Sequence, residues 1–280
     1  LTRTVQEAND VFWDGQTLGS WTEHLDGADV LVNLAGRSVN CRYTADNRRQ
    51  MMESRTHTTQ LLGQAIHKCQ RPPAVWLQSS TATIYDHTLD HPNDEVNGVI
   101  NDQRTGAQQS WNFSVQIGKA WERTAQEHCP SSTRLVCLRT AMVMSPDRGV
   151  VFDTLRTLCR RGLGGTSGDG KQYVSWMHEI DFVRAMHFLI EQTHIQGVVN
   201  MCAPEPIPNT LFMKEIRQAI GVPFGLPAAR WMLEIGAVLM RTETELVLKS
   251  RYVVPRRLQE HGFRFEYPRW KEAVRELVCR

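Results

Sequence analysis

The sequence predicts an α/β fold built on a parallel sheet, followed by a smaller and mostly helical C-terminal region. Two observations carry this. Short apolar runs of strand character alternate with long amphipathic helices as far as Pro146, and beyond it helices and glycine-rich connections dominate. Alternation at this spacing implies right-handed βαβ units, which place strands side by side in one direction. A length of 280 residues suits one large domain or two moderate ones.

Ala28-Asp29-Val30-Leu31-Val32-Asn33-Leu34 is an apolar run ending in Ala35-Gly36, the pattern of a buried parallel strand and a turn. Asp46 to Gln70 reads as a long helix. Met51, Thr58, Leu61, Leu62, Ala65, Ile66 and Cys69 share one face, Thr44 or Asp46 can cap the start, and Pro72-Pro73 ends it. Ala74 to Gln78 forms the next strand and opens into Ser79-Ser80-Thr81, before a polar excursion from Asp86 to Gln109. A helix over Trp111–His128 and a third strand over Arg134–Val143 follow. Val150–Arg161 is predicted helical, and Gly162-Leu163-Gly164-Gly165 with Gly168 and Gly170 is predicted to be a flexible loop. Glu179–Gln192 is an amphipathic helix with Phe182, Val183, Met186, Leu189 and Ile190 inward, and Val198-Val199-Asn200 a short strand. Helices are predicted over Asn209–Ile220, Pro227–Met240 and Pro268–Cys279, with a further apolar helical run at Leu246-Val247-Leu248.

Composition narrows the function classes. Hydrophobic residues make up 41% and charged residues 22%, with 32 basic against 30 acidic residues. No like-charge run exceeds a pair such as Arg160-Arg161, so a nucleic-acid surface, which needs a denser basic stripe, is not expected. Seven cysteines stand singly, as reduced thiols of a cytoplasmic protein would. Without HExxH or a histidine–cysteine cluster no metal site is expected. No apolar run approaches the roughly 20 residues of a membrane span.

Five segments occur in a telling order. They are Val32-Asn33-Leu34-Ala35-Gly36; Ser54-Arg55-x-x-Thr58-Thr59; Arg139-Thr140-Ala141-Met142-Val143; Gly164-Gly165 with the later Gly170-Lys171-Gln172-Tyr173-Val174-Ser175-Trp176-Met177-His178; and Val254-Pro255-x-Arg257-Leu258. Together they resemble the epimerase-family branch of the atypical extended short-chain dehydrogenases/reductases, a group labelled sugar-nucleotide epimerases with a C-terminal segment of unknown function. The resemblance implies a Rossmann-like, doubly wound parallel sheet, with an NAD(P)-binding domain over residues 1–148 and a substrate-side region over 149–280.

The chain opens on Leu1-Thr2-Arg3, with neither an initiator Met nor a signal peptide. In the family a strand, a glycine-rich turn and a helix precede such a step, so the resemblance implies that roughly 30 residues carrying the pyrophosphate site come before it. Without its central first strand the sheet is expected to split into two partial sheets with exposed edges, and the chain to be poorly stable. By the same resemblance the cofactor is NADP. Arg3, at the tip of the second strand, would grip the adenosine 2′-phosphate where NAD enzymes place an acidic residue. Thr2 would add a hydroxyl contact, Leu34 and Ala35 would pass the cofactor, Arg55 would reach toward it, and Val143 would line the nicotinamide side. Arg3 could also be a solvated chain-end residue, and Arg55 part of a surface ion pair.

Hydride-transferring members use a Tyr-x-x-x-Lys pair on the helix that here starts near Trp111, the lysine lowering the tyrosine pKa for proton exchange. Lys119 is present, but Val115 stands where the tyrosine would be. The substitutes available are Ser80 or Thr81 at the end of the preceding strand, the phenol of Tyr85, and Lys119 itself, each with an ordinary structural alternative. His178 could titrate near neutral pH or serve as a capping histidine, and Cys41 without a partner is expected to be inert. The C-terminal apolar helices, including Trp231-Met232-Leu233, would roof the cleft, and an exposed part could serve a homodimer. Two functions follow: an NADP-dependent oxidoreductase or epimerase acting on a small hydroxylated or nucleotide-sugar substrate, or a non-catalytic NADP-binding sensor or partner-binding protein that has lost the dyad.

Overall fold

The computed structural model describes residues 1–103, 109–229, 231–234 and 243–280. Four strands form the main sheet: β1 Val30–Asn33, β2 Val75–Thr81, β3 Arg134–Thr140 and β7 Gly197–Met201, in the order β1-β2-β3-β7 and parallel throughout. Side-chain alternation along β2 divides the core. Trp76 meets Leu31 and helix α1 (Ala45–Ile66) through Leu61, Leu62, Ala65 and Ile66 on one face. Val75 and Leu77 meet Val136, Leu138 and Val199, covered by α4 (Glu179–Glu191) through Ala185 and Leu189, on the other. Helices on both faces make the expected α/β, Rossmann-like architecture.

Helix α1 starts where the cap predicts. Thr44 accepts a hydrogen bond from Asn47 N and satisfies one of the orphan donors of the first turn. Helix α2 spans Gln109–His128 and packs along α1, and α1 allows this through Gly63, where a Cβ would collide with the backbone of His128.

Several expectations are corrected. The third strand breaks at Ala141: β3 ends in the main sheet, and Met142–Met144 (β4) leaves it to pair in parallel with β6, Trp176–His178. Val183 is 47% exposed, and buried Asp181 and Ala185 take the inner face of α4 with Leu189. The glycine loop is packed in part: Gly165 lies against the Leu226 carbonyl so closely that a Cβ there would collide with it, whereas a Cβ at Gly162 would meet open space. Of the helix expected over Pro227–Met240, residues 231–234 are helical while Ala228 pairs with Ser167 in an isolated parallel bridge, and the remainder lies outside the described residues, as does part of the 86–109 excursion.

Residues 149–280 are not a separate body. Helices α3 (Val151–Arg160) and α5 (Asn209–Ala219) and the C-terminal helix Trp270–Cys279 enclose their own cluster of Phe152, Trp176, Phe212, Ile216 and Trp270, but α4 and β7 return to the main sheet. The sheet-forming unit therefore extends past residue 148. At the opposite edge β1 has no outer neighbour in the sheet among the described strands. A separate parallel bridge, Thr2 to Phe12, is held by Thr2 N to Val11 O (2.9 Å) and Trp13 N to Thr2 O (2.9 Å). Trp13 and Trp21, centroids 5.0 Å apart, anchor this segment on the α1 face of the core.

Candidate functional site

The turn after β1 is built around a buried amide. Asn33 donates to Gln78 Oε1 (2.9 Å) and Thr59 Oγ1 (3.3 Å), and its Oδ1 accepts from Ala35 N (3.0 Å). An asparagine bonded to the backbone two residues on fixes a turn locally, and here the amide is also tied to β2 and α1. The chain then passes Gly36 over the Arg55 guanidinium, 3.4 Å from where a Cβ would sit. Arg37 N donates to Ser54 Oγ (3.1 Å), while its guanidinium is held by Gln50 Oε1 (2.7 Å) and Asn47 Oδ1 (2.8 Å).

A cleft of about 930 Å³ lies against this turn. Its walls include Arg3, Gly15, Ala35, Gly36, Ser54 and His57. Gly15 adopts φ +72°, and a Cβ there would stand 3.4 Å from Arg3 Nη2 and 3.5 Å from Thr58 Cγ2. Arg3 is exposed and makes no ion pair among the described residues. The structure thus brings Arg3 and Ala35 into one cleft, as expected. Sequence reading missed Arg37 and His57 as wall residues. The signal was partial, since Gln50, Ser54 and His57 recur at helical spacing in the first half of α1, on a face that Leu61 and Ala65 continue into the core.

The other expected cofactor residues are placed differently. Thr2 Oγ1 donates to Thr4 O (3.0 Å), and Thr2 does not line the cleft. Leu34 is 56% exposed beside it. Arg55 turns inward, donating to Met51 O (2.9 Å) and Arg37 O (3.0 Å) with its guanidinium 5.0 Å from the Trp121 ring. Burial lowers its pKa from the ordinary value. Arg55 therefore holds the turn from beneath; it forms neither the surface ion pair nor a cleft wall. Val143 sits half-buried in β4, paired with Met177.

The catalytic candidates do not converge. Thr81 is half-buried, and its Oγ1 accepts from Thr83 N (3.1 Å). Ser80 is committed to Glu122 Oε1 (2.6 Å), which leaves Thr81 as the hydroxyl at the end of β2. Tyr85 is 2% exposed; its hydroxyl donates to Asn200 Oδ1 (2.9 Å) and accepts from Arg139 Nη1 (2.9 Å). Burial pushes its pKa up to about 12 against the opposing pull of Arg139. Lys119 reaches outward to Asp102 (2.8 Å). Val115, at the tyrosine position, is buried beside Ile84 and Tyr85. Tyr85 is thus a correction: an apolar floor and two side-chain partners retain the phenol in the core. Tyr85→Phe is expected to cost about 1–3 kcal/mol, because Arg139 Nη1 loses its acceptor and Asn200 Oδ1 its donor. Urea unfolding measures this, and an unchanged midpoint would refute it.

His178 proves to be a cap: Nδ1 accepts from Ile180 N (3.2 Å), and Nε2 meets Glu276 Oε2 (2.8 Å). Cys41 Sγ lies 3.9 Å from Met51 Sδ. Sequence reading also missed a buried charged cluster near the carboxyl end of β2. Ser114 Oγ donates to Glu245 Oε2 (2.6 Å), Lys249 Nζ to Thr83 O (2.7 Å) and Arg251 Nε to Thr83 Oγ1 (3.1 Å). Burial raises the Glu245 pKa and lowers that of Arg251. Among the described residues no group of three or more His, Cys, Asp or Glu could hold a metal, and no helix is long and apolar enough to cross a membrane.

Residues 9–202 match the model of the NAD dependent epimerase/dehydratase family, and residues 228–277 match a domain of unknown function, DUF1731. The chain is 30% identical to the epimerase family protein SDR39U1 of Bos taurus, over 96% of this chain and 87% of that protein. It is 29% identical to an epimerase family protein of Staphylococcus aureus strain N315, over 99% and 89%. Among solved structures it is similar to human SDR39U1 (isoform 2) with NADPH, at 28% identity and a TM-score of 0.81, covering 91% of this chain and 83% of that one. At 24% identity the nucleoside-diphosphate sugar epimerase of Corynebacterium glutamicum shares the fold, with a TM-score of 0.76, over 99% of this chain and 51% of that one.

Proposed function

Because the chain belongs to the NAD dependent epimerase/dehydratase family, we propose that it binds NADP(H) through the Arg3 cleft and serves oxidoreductase or epimerase chemistry on a small hydroxylated or nucleotide-sugar substrate. The observation that carries the cofactor reading is Arg3, an exposed guanidinium without an ion pair among the described residues, in a cleft walled by small Gly15, Ala35 and Gly36. The donor set fits the adenosine 2′-phosphate end, because the Arg3 guanidinium in the cleft wall offers a fork that matches phosphate oxygens. Glu53 also lines the cleft, and the cations Arg3 and Arg37 outnumber it. The NADPH of the human relative supports the same reading. When bound, the nicotinamide supplies the hydride, and the protein's part is to orient it and exclude water. Thr81 is the hydroxyl left to meet a substrate at the end of β2.

A second reading, a non-catalytic NADP-binding sensor or partner-binding protein, is favoured by one arrangement. Val115 fills the tyrosine position inside the core, while Lys119 and Tyr85 are committed to different partners. Calorimetric titration tests what both readings share. Arg3→Ala is expected to weaken NADP binding about ten- to a hundredfold, the worth of a charge-assisted contact, and to leave NAD binding unchanged. Equal losses for both nucleotides, or none, would remove Arg3 from the 2′-phosphate site. NADPH oxidation across a panel of nucleotide-linked keto-sugars, followed together with epimer formation from nucleotide sugars because epimerisation consumes no net NADPH, then separates enzyme from sensor.

A further inference from the structure

The Arg3 cleft holds a second titratable nitrogen base, and an inference drawn from it rests on the cofactor reading above. His57 is exposed on α1 and lines the same wall. Its Nε2 lies 2.9 Å from the carbonyl oxygen of Gln16. A carbonyl only accepts, so Nε2 carries the proton and Nδ1 is the acceptor of the neutral ring. Among the described residues Nδ1 has no hydrogen-bond partner. Gln16 follows Gly15, the residue that packs against Arg3, so one tight turn carries Arg3 on one flank and His57 on the other. Asp14 fixes that turn by accepting from Gln16 N (2.7 Å) and Thr17 N (2.9 Å). These bonds hold its carboxyl below the ordinary value.

We propose that His57 is a specificity residue for the adenosine 2′-phosphate, supplying a second cation beside Arg3 when Nδ1 takes up a proton. Imidazole is the side chain whose charge ordinarily changes between pH 5 and 8. The charged groups that share the cleft wall and its turn are the positive Arg3 and Arg37 and the negative Glu53 and Asp14. A phosphate monoester carrying nearly two negative charges tips this balance toward the imidazolium. NAD, which has a hydroxyl in that position, does not. The preference for NADP over NAD is therefore graded by pH, and NADP binding near neutral pH draws a proton from solution.

The test is calorimetric titration of NADP and NAD at pH 6 and pH 8 into the wild type, His57→Gln, His57→Lys and Arg3→Ala. An exposed charge pair contributes up to about a fivefold effect, so the wild-type NADP/NAD preference should exceed that of His57→Gln by about this factor at pH 6 and by little at pH 8. The second ionisation of the phosphate itself, near pH 6, weakens NADP binding in acid, but it does so equally in both proteins. His57→Lys, with a permanent charge, should show the high preference at both pH values. Titration in buffers of different ionisation enthalpy should show proton uptake with NADP in the wild type and less in His57→Gln. Identical pH profiles for wild type and His57→Gln, with Arg3→Ala still abolishing the preference, overturn the role of His57 alone. A preference unaffected by Arg3→Ala overturns the cleft assignment, and the inference falls with it.

Discussion

Replacing Arg139 with Met is expected to lower the unfolding free energy by about 3–5 kcal/mol, the usual cost of leaving a buried charge without its partner. Arg139, 7% exposed on β3, faces Glu122, 6% exposed on α2. The pair is bidentate: Arg139 Nε reaches Glu122 Oε1 at 2.8 Å, and Nη2 reaches Oε2 at 2.8 Å. Burial works against the charge of Arg139, yet the hydrogen bonds and charge of Glu122 outweigh it and hold its pKa above the ordinary value. The methionine would fill part of the volume, so the loss reports the stranded Glu122 carboxylate and the donor lost to the Tyr85 hydroxyl more than a cavity. The double variant Arg139→Met/Glu122→Leu should recover much of it, because an apolar pair is often as stable as a buried ion pair. Urea denaturation decides the matter. A loss below about 1 kcal/mol for the single variant would mean that the Glu122 carboxylate finds water or another partner once Arg139 is gone.

Trp270→Ala is expected to cost about 3–5 kcal/mol, the range for truncating a large aromatic in a packed core. Trp270 is 2% exposed at the start of the C-terminal helix and stacks on Phe212 of α5 at 4.4 Å and 15°. It also meets Trp176 of β6 at 4.9 Å, and its Nε1 donates to Phe212 O at 3.1 Å. One side chain thus joins three elements of the C-terminal cluster. The cavity would open away from the Arg3 cleft, so NADP affinity at low temperature should survive while the melting temperature falls. Lost stability without lost binding is the expected pattern, and lost binding in a folded Trp270→Ala protein would mean that the two regions are coupled.

Much of the frame could be read locally. A helix repeats on a 3.6-residue period, a buried parallel strand is a continuous apolar run, and a capping threonine sits next to the boundary it creates, whereas α1 ends at Ile66, well before the Pro72-Pro73 pair expected to stop it. Helix α1, strands β1 and β2 and the turn at Asn33 follow from such signals, and each stands within a residue or a few of its expected bounds. Val183 escaped this logic because hydrophobicity counts a valine as core wherever it falls, whereas the neighbouring Asp181 is buried to accept from Glu266 N and Tyr267 N, both at 2.8 Å. The β3–β4 break escaped it as well, since the apolar run is unbroken and only pairing with residues 176–178 draws the chain out of the sheet.

The sequence by itself determined the alternation that makes the α/β sheet, the family resemblance, the presence of Arg3, and the valine where a catalytic tyrosine would stand. The tertiary structure alone decided what the remaining polar side chains do. Tyr85 meets Asn200 across 115 positions, Ser114 meets Glu245 across 131, and Arg55 closes on Arg37 across 18. A buried phenol and an exposed one, or a guanidinium that holds a turn and one that grips a phosphate, are the same letters in the chain. Desolvation and the long-range partner set them apart, and neither exists until the sheet has brought distant segments together.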